Sequence, residues 1–86
     1  MLDWSKKEWI VRSRLAELVR ERELREQRRI HQKEIAQSTG LMPNTVSRWM
    51  SPMGFDRIET KAAVALCGWL GVNIGDLLVI EEARAE

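Results

Sequence analysis

An all-α domain built from five short helices is the fold class this sequence predicts. Three observations predict it. Apolar residues recur at helical spacing in successive stretches, Gly or Pro stands where those stretches end, and no segment reads convincingly as a strand. With 86 residues the chain can bury one modest core and no second one, so residues 1–86 are expected to form a single domain. Its 44% hydrophobic and 31% charged content belongs to a folded soluble protein and not to a disordered one.

The first helix has a start signal near the N-terminus. Ser5 with Glu8 three residues later spells a capping box, and Trp4 and Trp9 bracket it as a hydrophobic staple. Val11, Leu15 and Leu18 then recur at helical spacing, with Ala16 and Val19 widening the stripe. No Gly, Pro or β-branched residue interrupts "RERELREQRR", so an extended N-terminal helix running to about Arg29 is expected. "HQKEIAQSTG" reads as a second helix, with His31 at its cap, Ile35 and Ala36 inward, and Gly40 as a left-handed stop.

Pro43 in "LMPNTVSRWM" suits the first turn of a third helix, where its missing N–H costs nothing. "SPMGFDR" is a loop by its Pro and Gly. "IETKAAVALCGWLG" is a fourth helix that buries Ala62, Ala63, Leu66 and Leu70, with Cys67 as a small core residue and Gly71 as its end. Asn73 and Asp76 cap a last short helix, "GDLLVI"; the alternative for "LLVIEE" is a short extended tail.

Composition narrows the function. No apolar run approaches the roughly 20 residues that span a bilayer. "MLDWSKKEWI" lacks the apolar core of a signal peptide, so a cytoplasmic location is expected. One Cys and one His build neither a disulfide nor a zinc site, and His31 beside Glu34 finds no further ligand, so no metal or cofactor is expected. No nucleophile–base pair can be assembled from them, which argues against an enzyme. Net charge is +1, but it is unevenly spread. Arg12 to Lys33 holds eight basic residues against four acidic ones, and Ile74 to Glu86 four acidic against one basic. A basic front and an acidic tail would orient the molecule in the field of a polyanion; on charge alone, a solvated helix laced with salt bridges is the alternative and the favoured reading.

From Gln32 to Trp49 the pattern is Gln-x-x-Ile-Ala-x-x-x-Gly-Leu-x-x-x-x-Val-x-x-Trp. Two steeply crossing helices need each of these: small Ala36 at the closest approach, Gly40 for the turn, and Ile35, Leu41, Val46 and Trp49 in the wedge. Residues 32–50 are therefore a helix-turn-helix. With "RLAELVREREL" before it and "RIETKAAVALCGWLGVNIGDLL" after it, the chain from Val11 to Leu78 resembles the Cro/CI-type (Xre-like, lambda-repressor-like) regulators. The resemblance implies a compact five-helix lambda-repressor-like fold, binding to double-stranded DNA as a homodimer on a two-fold operator, and transcriptional repression. Three features depart from it: an insert from Arg25 to Ile30, Met50 where many members have Glu, and an N-terminal extension, residues 1–10, without counterpart in the minimal domain.

At about 100° per residue, Asn44, Ser47 and Arg48 share one side of the third helix, with Pro43 at its rim and Val46, Trp49 and Met50 opposite. Arg can donate twice to guanine and Asn can pair twice with adenine. Arg48 and Asn44, supported by Ser47 and Pro43, are thus expected to read base edges. Thr45 flanks that face and suits a phosphate. Gln32 matches the family position that clamps a phosphate, and Lys33 and Arg57 are further phosphate candidates. An alternative role, an antitoxin or interaction module holding a protein partner, would use the acidic tail, residues 79–86. Trp69 is either partly exposed or part of a partner surface, and Trp4 and Trp9, after their role as a staple, are candidates for a dimer contact.

Overall fold

The structure, a computed structural model, describes residues 8–83. In chain order its elements are β1 (Trp9–Ser13), α1 (Leu15–Glu26), α2 (Gln32–Thr39), α3 (Pro43–Met50), β2 (Gly54–Phe55), α4 (Thr60–Leu70), α5 (Ile74–Leu77) and β3 (Leu78–Glu82). The three strands form an antiparallel sheet in the order β2-β1-β3. The fold is accordingly α+β, which corrects the all-α expectation: the five helices are there, and so is a sheet.

The sheet joins the two ends of the described chain. "WIVRS" and "LVIEE" both carry β-branched residues, which fit a pleated surface, and they pair from Trp9↔Glu82 to Ser13↔Leu78. Val11, counted above into a helical stripe, is a strand residue facing Ile80 on one side and Phe55 on the other. The helix expected through Glu8 and Trp9 is therefore not formed there; the Trp4 and Ser5 part of its start signal lies outside the described residues. Long-range pairing overrode the local signal.

The first helix starts late and stops early. The buried Ser13 hydroxyl accepts the Leu15 N–H at 3.0 Å, which opens α1. After 12 residues Gln27 turns left-handed, with φ 54°, and the helix ends. The extended helix is thus not formed, and the insert divides: Arg25 and Glu26 complete α1, and the rest connects it to α2. That connection is held at both ends. Ile30 is buried and its N–H donates to the Glu23 carboxylate at 2.8 Å. The Arg28 guanidinium grips both Glu34 oxygens, at 2.9 and 2.8 Å, and also donates to Glu26. Arg28 therefore holds the Glu34 carboxyl below the usual carboxylate range, and Arg22 followed by Arg28 does the same for Glu26.

At the other end the capping box of Asn73 and Asp76 is present, but α5 lasts a single turn. Leu78–Glu82 is strand, so the extended alternative for "LLVIEE" is what the chain adopts once β1 offers it a partner. The core lies among the helices, and Phe55 and Leu78 of the strands pack against it. Leu15, Ile35, Val46, Leu66 and Leu77 are its largest fully buried side chains. Leu70, Leu78 and the half-buried Cys67 pack on it.

Candidate nucleic-acid interface

The crossing of α2 and α3 is built by small and β-branched residues, as the spacing demands. Ala36 is buried, and Gly40 turns at φ 75° while its N–H donates to the Ala36 carbonyl at 2.9 Å. The Thr39 hydroxyl donates to the Ile35 carbonyl at 2.7 Å and accepts the Leu41 N–H at 3.3 Å, which stiffens the turn. Met42 is the N-cap of α3 without a side-chain cap bond, and Pro43 occupies the first turn. Val46 at 0% and Trp49 at 2% exposure anchor the back of this helix. Pro43, Asn44, Ser47 and Arg48 are all exposed on the other side, and Thr45 is half-buried at the edge.

Four of the expected site residues meet in one place. Asn44, Thr45, Arg48 and Arg57 line a groove of about 660 Å³ together with Phe55, Asp56 and Glu59. Arg48 lies over the Phe55 ring, 5.6 Å from its centroid, and the ring leans on Trp49 at 4.8 Å and 50°. Two arginines and two acids line it, so the groove carries little net charge. Carboxylates of this kind can also accept from the cytosine amino group. Pro43 and Ser47 face solvent outside that groove.

Gln32 lies elsewhere, in a second groove beside α1 with Arg20, Arg29 and His31. His31 holds the extended N-cap position of α2, but its side chain makes no cap bond, contrary to the capping role expected of it. Lys33 is exposed and lines neither of these grooves. The basic front is less available than its count suggests. Arg12 is bound to Glu17 and Glu81, Arg14 to Glu17, Arg22 to Glu26, and Arg28 to Glu26 and Glu34. Arg20, Arg25, Arg29 and Lys33 have no ion-pair partner among the described residues.

Phe55, Asp56 and Glu59 were not legible as site residues. Phe55 and Asp56 lie in a segment whose Pro and Gly signal only a loop, Glu59 stands at the head of the stretch read as the fourth helix, and nothing local says that either returns to α3. Arg20 and Arg29 carried a signal, since both belong to the basic run, but sequence alone does not separate them from their ion-paired neighbours.

A family model for the Cro/C1-type helix-turn-helix DNA-binding domain matches residues 22–83. The chain belongs to that family. Neither a curated protein nor a solved structure matches it. As a Cro/C1-type domain it is a DNA-binding regulator, and DNA is its partner. Such domains typically act without catalysis. Among the described residues of this Cro/C1-type chain no helix is long and apolar enough to cross a membrane, and no cluster of His, Cys, Asp or Glu could hold a metal ion. The match begins inside α1, so β1 precedes the Cro/C1-type segment.

Proposed function

We propose that this protein is a sequence-specific transcriptional repressor of the cytoplasm that binds a two-fold operator as a homodimer. One observation carries the reading of sequence. Asn44, Ser47 and Arg48 are exposed together on a helix whose opposite side is locked into the core by Val46 and Trp49. A helix presented in this way enters a major groove with its N-terminal residues toward the bases. Arg48 and Asn44 then read base edges, with Ser47 and Pro43 alongside. Thr45, Gln32, Lys33 and Arg57 take phosphates, and the unpaired Arg20 and Arg29 beside Gln32 strengthen that flank. Two copies on one duplex read half-sites about 34 Å apart.

Selection from random duplex DNA tests the proposal, and a palindromic consensus is the expected outcome. Arg48→Ala should then erase preference at one position of each half-site, a discrimination of about 1–3 kcal/mol. Gln32→Ala should weaken binding to all sequences alike. Failure to enrich any sequence would sink the readout. The tail reading, a protein partner held by residues 79–86, has less support. Residues 79–82 are engaged in β3, with Glu81 gripped by Arg12 at 2.7 Å.

A further inference from the structure

We propose that Phe55, which lies outside the helix-turn-helix, is a specificity-determining residue that holds Arg48 ready to read its base. The inference rests on the reading of Arg48 as a base-contacting residue.

Two arginines among the described residues sit over aromatic rings, and the difference between them is informative. Arg22 lies 4.4 Å from the Trp69 ring centroid, but its guanidinium also donates to the Trp69 carbonyl at 2.9 Å and to Glu26 at 2.9 Å. Its donors are in use. The Arg48 guanidinium has the Phe55 ring and, among the described residues, no hydrogen bond or ion pair. A guanidinium attracted through its face keeps the N–H groups in its plane available, and these are the groups that donate to guanine. Asp56 and Glu59 line the same groove. Without a ring beneath it, the flexible arginine chain is free to turn to either carboxylate, and its fork is lost to the base.

The platform itself is fixed. The Phe55 ring rests on the buried Trp49, and its backbone pairs with Val11 of β1. Neighbouring Gly54 comes so close to β1 that a Cβ there would stand 2.8 Å from the Ile10 Cβ. The position of the ring is therefore relayed from Trp9–Ser13, a strand that precedes the family segment. Preference at one base is tied in this way to a strand that the family segment does not include.

The test starts from the selected duplex and its single-base variants. Arg48→Ala first identifies the position that this residue senses; if it senses none, the reading of Arg48 fails and the inference falls with it. If it does, Phe55→Leu should lower discrimination at that position alone by about two- to fivefold, while discrimination elsewhere and affinity for unrelated duplex are kept. Phe55→Tyr, which keeps the ring, should restore it. A folded Phe55→Leu protein with unchanged discrimination at that position, or with an equal loss at every position, overturns the proposal. Should Phe55→Leu unfold, NMR of the unaltered protein decides: the Arg48 side-chain protons should be displaced upfield by the ring current, and random-coil shifts there overturn it.

Discussion

Trp49 does two jobs at the scale of single residues. It is 2% exposed, so it closes the wedge behind α3, and its ring also carries Phe55. Trp49→Ala should cost about 3–5 kcal/mol in urea denaturation. It should also reduce DNA discrimination at temperatures where the protein remains folded, because the support of Arg48 is gone. A loss below about 1 kcal/mol would show that the wedge is packed by other residues. Cys67 illustrates the opposite case. Its thiol is pushed up by burial first and by the charge of Asp76 second, which suits a packing residue and not a nucleophile.

At the scale of elements, the connection between α1 and α2 shows how a charged insert becomes structure. Arg22, Glu26, Arg28 and Glu34 form a chain of ion pairs from the end of the first helix to the start of the second. The carboxyls of Glu26 and Glu34 titrate below their ordinary value in the folded protein. A lowered folded value means that their contribution is present above the unfolded value, near pH 4.3, and is lost as pH falls through the folded one. Thermal melts should therefore show a midpoint that declines below about pH 4. Glu34→Gln should make that decline shallower, and added salt should shrink the difference. An identical acid profile for the variant would mean that the bidentate pair with Arg28 contributes nothing to stability.

At the scale of the whole molecule, charge and topology act together. The ion pairs that stitch α1 to the sheet and to α2 engage half of the basic run, so the attraction for phosphate falls to what is left, including Lys33. Each phosphate neutralised steepens the salt dependence of binding by about one unit of log–log slope. Lys33→Ala should lower the slope by about 1 per protomer and leave the sequence preference unchanged. An unaltered slope would place Lys33 away from the DNA backbone.

What could be read from the sequence follows from how far apart the cooperating residues lie. The helix-turn-helix was legible because its parts are neighbours: Ala36, Gly40, Pro43, Val46 and Trp49 settle the turn, the helix start and the buried side within one short segment. The exposed faces of Asn44, Ser47 and Arg48 follow from helical periodicity alone. Local signals also placed α2, α4 and the Asn73–Asp76 cap. The sheet was decided by tertiary structure, because a five-residue strand satisfies its backbone only against a partner, and here β1 and β3 come from opposite ends of the chain. The same pairing decided where the first helix begins and how short the last one is. It also brought Phe55 beneath Arg48, a contact between a strand residue and a helix residue that no local pattern encodes. Sequence by itself determined which side of α3 is exposed; the long-range backbone pairing of the sheet determined what stands beside it.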